Sequence, residues 1–154
     1  MRRLGLAENL QLSRSRRLLL DTNAFIYFLT GLEPYFSLLT PLFERVQRRQ
    51  AEVIASVITE AELLVRPSQQ GDQEALERIA GLLSEDGISV LPVSRPTARS
   101  AAVLRTRNGL KLPDAIIVAT AVGAGCDLIV GNDGRWRRLT EVPYLHLEDV
   151  VSTA

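Results

Sequence analysis

Cysteine occurs once in the 154 residues, as Cys126, and histidine once, as His146. A single cysteine excludes an internal disulfide and a cysteine-based metal site, and Cys126 reads as a small core residue. Long apolar runs are missing too. The longest, residues 115–122, contains a threonine and falls far short of a membrane span. The first 17 residues carry arginines but no apolar stretch ahead of a cleavage site, so they do not read as a signal peptide. A cytoplasmic chain is the expectation. Net charge is also lacking, since 18 basic residues balance 18 acidic ones. There is no internal repeat, low-complexity tract or clear linker.

The apolar fraction of 46% and the length suit one globular domain with a sizeable core. The pattern predicts short strands at residues 18–20, 53–55, 88–93, 128–130 and 144–147. Between them it predicts an apolar segment at 24–29 that stops at Gly31, and helices at 59–65, 73–83, 96–107 and 112–124. Residues 35–50 also look helical, but Pro41 suggests a start only there, with Thr40 as cap. Pro67 is expected to stop the helix before it. The helix at 112–124 is apolar almost all round, hence central. Residues 1–15 form an expected N-terminal extension, in part flexible, and 16–154 a single domain. Short apolar strands alternating with helices argue for an α/β chain, a three-layer α/β/α sandwich on a mainly parallel sheet.

Charge is unevenly spread. No acid lies between Asp86 and Asp114, a stretch that holds Arg95, Arg99, Arg105, Arg107 and Lys111. Arg135, Arg137 and Arg138 form a second cluster, and Arg2, Arg3, Arg14, Arg16 and Arg17 crowd the start. Such segments suit a phosphate-rich ligand; they are equally what solvated helix faces look like.

Several acids fall where a parallel sheet builds its site, outside the carboxyl ends of strands. Asp21 leaves the first strand, Glu60 and Glu62 follow the second, Asp114 opens the central helix, and Asp133 follows the strand at 128–130. Each has a plainer alternative. Asp21 could cap a helix through Asn23 or Ala24. Glu62 could close a capping box with Thr59. Asp114 could complement a helix dipole, and Asn132-Asp133-Gly134 could be a turn. Together on one sheet edge they are harder to dismiss. Helical geometry puts Glu62 with Ile58, Ala61 and Val65, the expected inward side, and Glu60 opposite on the surface. Asp114 shares a stripe with Ile117, Val118 and Ala121. Oxygen donors suit a hard cation, Mg²⁺ or Mn²⁺, and zinc poorly. His146, in the last expected strand, reads as structural.

The segments LLLDTNAFIYFL, ASVITEAELL and LKLPDAIIVATAVGAGCDLIVGND, in that order, resemble the PIN-domain nucleases, in particular VapC-type toxins of toxin–antitoxin pairs. The resemblance runs over residues 18–147. It implies Mg²⁺- or Mn²⁺-dependent cleavage of RNA by an acidic cluster of Asp21, Glu62, Asp114 and Asp133. It also implies support from Asn23 and Thr22, a homodimer, and a small antitoxin whose tail enters the groove. Arg105, Arg107, Lys111 and Arg135 would contact the RNA backbone. The chain departs from the pattern at Gly131, where a serine or threonine hydroxyl is common, and in a first strand that starts only after about sixteen residues. Other readings are a non-catalytic RNA- or protein-binding module and a housekeeping RNA-processing nuclease. A phosphotransferase built on Asp21 is disfavoured, because Asn23 stands where haloacid-dehalogenase-like enzymes need a second aspartate.

Overall fold

The computed structural model describes residues 9–152. Five strands, β1 (Arg17–Leu20), β2 (Glu52–Ser56), β3 (Ile88–Leu91), β4 (Leu128–Gly131) and β5 (Tyr144–His146), form one sheet in the order β3-β2-β1-β4-β5. Every pairing is parallel, with Leu18 beside Val53 on one flank and Leu128 on the other. Strand order reverses between β1 and β4, so a crevice opens outside their carboxyl ends.

Alternate residues of the strands feed two cores. Leu18, Leu20, Val53, Ala55, Leu128 and Val130 pack with Phe25, Leu39 and Leu42 on one face. Leu19, Ile54 and Ile129 pack with Ile117, Val118 and Trp136 on the other. The first face is covered by α2 (Thr22–Thr30), α3 (Tyr35–Gln47), α4 (Val57–Gln70) and α5 (Gln73–Leu83). The second is covered by α6 (Arg95–Asn108), α7 (Leu112–Gly123) and a short 3-10 turn at Gly134–Arg138. The chain is a three-layer α/β/α sandwich on a parallel sheet, as the alternation of apolar segments predicts. Among the described residues no helix is long and apolar enough to cross a membrane.

Two prolines do not act as the sequence leads one to expect. The third helix begins at Tyr35 and carries Pro41 inside it. An interior proline costs about 3 kcal/mol. Burying Leu38 and Leu39, which lie before it, returns roughly 1.5–3 kcal/mol each. The α4 helix likewise runs through Pro67 and ends only at Gly71, whose φ of 63° is the left-handed C-cap conformation. The Asp72 N–H then closes the end on the Pro67 carbonyl at 2.9 Å.

Residues assigned to the extension include a short helix, α1 (Leu10–Arg14), capped by Asn9. Its Leu12 is buried, and the Arg45 guanidinium donates to the Leu12 and Ser15 carbonyls at 2.7 Å each. The part of that extension before residue 9 lies outside the described residues. At the amino ends of β1 and β2, an open hollow of about 640 Å³ is lined by Arg14, Arg16, Arg17, Arg45 and Arg49, with Glu52 the single acid. The chain ends its description in α8 (Leu147–Ser152), where sequence extends the last strand to residue 147.

Candidate functional site

Asp21 is the first residue beyond β1, and its backbone N–H still bonds to Val130 of β4 at 2.9 Å. It caps α2, but through the Thr22 N–H at 2.7 Å rather than through Asn23 or Ala24. Only 7% of Asp21 is exposed. Its pKa is pushed up to about 7, chiefly by burial, with the charges of Asp114, Glu62 and Asp133 adding to it and the Thr22 N–H opposing. The other three predicted carboxylates are thus all felt at Asp21.

Asp133 follows β4 and caps the 3-10 turn, accepting from the Arg135 N–H at 2.9 Å. The Arg135 guanidinium grips the same carboxylate, with Nη2 to Oδ2 at 2.6 Å, and holds its pKa below the usual range. That guanidinium also lies 3.6 Å from Asp114 Oδ2. Asp114 sits in the first turn of α7 with 20% of its side chain exposed. Burial raises its pKa; Asp133 adds to the rise, while Arg135 and Lys111 oppose it. The indole N–H of Trp136 also favours the charged form of Asp114, although it stays outside hydrogen-bond geometry. It is the one buried side-chain polar atom left unpaired among the described residues.

Glu62 does not lie on the inward side of its helix, contrary to the expectation from helical spacing. The stripe of α4 that packs inward is Thr59 and Leu63, whereas Ala61 and Val65 are exposed. Glu62 is itself exposed and flanks that stripe; Glu60 is partly buried and is not among the charges acting on Asp21. Thr22 turns Glu62 toward the crevice by donating its hydroxyl to Oε1 at 3.0 Å. The Asn23 side chain, partly buried, makes no hydrogen bond among the described residues.

Of the expected RNA contacts, Arg135 stands in the site and Lys111 close enough to act on Asp114. Arg105 is spent on the Leu110 carbonyl at 2.9 Å, and Arg107 acts on Glu141 instead. Two residues to which the sequence assigns no site role hold the β4 loop. Asn132 donates to the Tyr27 hydroxyl at 3.0 Å and accepts from the Glu148 N–H at 2.9 Å. The Tyr144 hydroxyl bonds both the N–H and the carbonyl of Asp133. His146 is buried in β5 with Nδ1 3.3 Å from that hydroxyl.

The donor set fits a hard divalent cation in chemistry: oxygen ligands and a carboxylate, Asp21, kept from ionising freely chiefly by burial and further by the charges of the other three. It is not a closed cage, since no three acidic, histidine or cysteine side chains are gathered tightly enough among the described residues. Asp133 is turned onto Arg135 and Glu62 onto Thr22.

Comparison with known structures gives a consistent fold. The toxin–antitoxin complex VapBC2 of Rickettsia felis, bound to a promoter DNA fragment, aligns over 84% of this chain and 98% of its own with 17% identity and a TM-score of 0.69. A toxin–antitoxin complex from Klebsiella pneumoniae aligns over 84% and 97% with 22% identity and a TM-score of 0.64. VapC20 of Mycobacterium tuberculosis, a toxin that cleaves the sarcin–ricin loop, aligns over 82% and 98% with 14% identity and a TM-score of 0.61. Among curated protein sequences nothing matches. The family model of the PIN domain matches residues 18–142, a span that runs from β1 to the residues just before β5 and takes in all four carboxylates, and the chain belongs to the PIN domain family.

Proposed function

We propose that the protein is a metal-dependent endoribonuclease in which Asp21, Glu62, Asp114 and Asp133 hold Mg²⁺ or Mn²⁺. The observation that carries this reading is that Glu62 of α4, Asp114 at the start of α7 and Asp133 beyond β4 all act on the buried Asp21 at the end of β1. When bound, such an ion lowers the pKa of a water ligand and neutralises charge on a phosphodiester. The protein's own part is positioning. Asp21 is buried at the end of β1 with its backbone N–H on Val130, and Thr22 aims Glu62. The exposed Arg135 and Lys111 offer cations to the RNA backbone at the rim.

A toxin role with a small antitoxin partner is part of the same proposal. The similar complexes from Rickettsia and Klebsiella support it. So does an apolar cleft of about 310 Å³ that begins at Glu62 and passes Ile26, Leu63 and Ile79, a seat for a protein segment beside the site. The similar sarcin–ricin-loop toxin supports RNA as substrate. A homodimer is proposed alongside.

The test is cleavage of RNA in Mg²⁺ or Mn²⁺ by wild type, Asp21→Ala and Asp114→Ala. Both variants are expected to lose about 100-fold or more in kcat/KM, as does wild type in excess chelator. Equal cleavage by all three proteins overturns the assignment. A wild type that binds Mn²⁺ and RNA without cleaving it points to the binding-module reading.

A further inference from the structure

Gly131 closes β4 directly against Asp21. A Cβ built there would stand 3.0 Å from Asp21 Cβ, 3.3 Å from Asp21 Oδ2 and 3.3 Å from the Tyr144 hydroxyl oxygen. Position 131 thus has little room for a side chain, and the space beside it is taken by a hydroxyl from the neighbouring strand. In register, Gly131 faces His146 and Ile129 faces Tyr144, so the phenol leans along β5 toward the carboxyl edge of the sheet. There it is pinned at both ends of one residue. It accepts from the Asp133 N–H at 3.1 Å and donates to the Asp133 carbonyl at 2.9 Å. Its second lone pair faces His146 Nδ1 at 3.3 Å. The ring is braced by Trp136, with centroids 5.9 Å apart.

We propose that Tyr144 is a positioning residue of the site: its hydroxyl, reaching in where Gly131 leaves space, fixes the residue that carries the Asp133 carboxylate at a set distance from Asp21. The family resemblance leads one to expect a hydroxyl at position 131 itself; here β5 delivers it from the side. Gly131 and Tyr144 then form a matched pair. A side chain at 131 would press on Asp21 Cβ at 3.0 Å and on the phenol at 3.3 Å, so Asp21 and Tyr144 would each have to give by a few tenths of an ångström. The proposal rests on reading these carboxylates as an ion-binding nuclease site.

The experiment compares the full chain as wild type, Tyr144→Phe, Tyr144→Ala, Gly131→Ser and the double variant Gly131→Ser/Tyr144→Ala. Mn²⁺ affinity is read by titration calorimetry, kcat and KM by RNA cleavage, and folding by circular dichroism. Groups that orient metal ligands typically contribute about 10–100-fold in metal affinity or activity. Tyr144→Phe should therefore weaken Mn²⁺ binding or lower kcat by about 10-fold or more, with KM for RNA little changed. Gly131→Ser should do likewise in the wild-type background, yet improve Mn²⁺ affinity over Tyr144→Ala in the double variant, because the serine then returns a hydroxyl to a vacated space. A folded Tyr144→Phe with wild-type Mn²⁺ affinity and kcat overturns the proposal. If Tyr144→Phe does not fold, the comparison of Tyr144→Ala with the double variant decides, and no recovery overturns it. A wild type that binds Mn²⁺ but cleaves no RNA removes the nuclease reading and leaves the affinity comparison to judge Tyr144. A wild type that binds no Mn²⁺ overturns both.

Discussion

At the scale of single residues, Asp21 holds its proton to higher pH than a free carboxyl, mainly because it is buried and then because three carboxylates face it. The folded state therefore binds more protons than the unfolded state between the ordinary carboxylate pKa near 4 and about 7. Stability must fall as pH rises through that window, by on the order of 4 kcal/mol in all. Asp114, also raised, adds to the same trend, whereas Asp133, lowered by Arg135, adds stability above its own pKa that is lost in acid. Thermal melts from pH 4 to pH 8 are expected to show a declining Tm in wild type and a much flatter profile in Asp21→Asn. At pH 8, Mn²⁺ at about 100 times its Kd should return about 2.7 kcal/mol to wild type and much less to Asp21→Asn. A wild-type profile as flat as that of Asp21→Asn would show that neither burial nor the neighbouring charges hold the Asp21 proton.

At the scale of elements, the site depends on how the β4 loop is tied down. Asn132 links it to α2 through Tyr27 and to α8 through the Glu148 N–H. Tyr27 in turn stacks on Tyr35 at 4.3 Å, and the Tyr35 hydroxyl bonds Glu148. Removing both Asn132 bonds by Asn132→Ala is expected to cost about 1–3 kcal/mol in urea denaturation. It should also lower kcat, because Asp133 then rides on a loosened loop; an unchanged kcat with lowered stability would limit Asn132 to holding the fold. How these elements relate to the sequence is uneven. The strands were legible because buried parallel strands are short apolar runs, and Asp21, Asp114 and Asp133 because strand ends and helix starts can be counted. Pro41 and Pro67 do not break their helices as a local rule predicts, because tertiary burial and a C-cap outweigh it. The stripe that points to Glu62 in the sequence is not the buried one; its place is set by Thr22, forty residues away in the chain. For Asn132 the sequence offers only a turn and for Tyr144 only a strand, since their partners lie at intervals that no periodicity marks.

At the scale of the whole molecule, net neutrality conceals a division. The acidic crevice lies outside the carboxyl ends of β1 and β4, and the arginine-lined hollow lies at the amino ends of β1 and β2. Strands of four or five residues separate the two by only roughly 13–17 Å at the rise of a parallel strand. Charge of opposite sign thus gathers at the two ends of β1. A molecule so divided attracts its own kind end to end while having no net charge to keep copies apart. Near 0.01 M salt, where the Debye length is about 30 Å, light scattering should report an average mass that grows with protein concentration; near 0.15 M, at about 8 Å, only a salt-insensitive dimer should remain. Loading the acidic end with a divalent cation should weaken the low-salt growth, because it cancels one pole, and charge reversal at Arg14 and Arg16 should weaken it from the other.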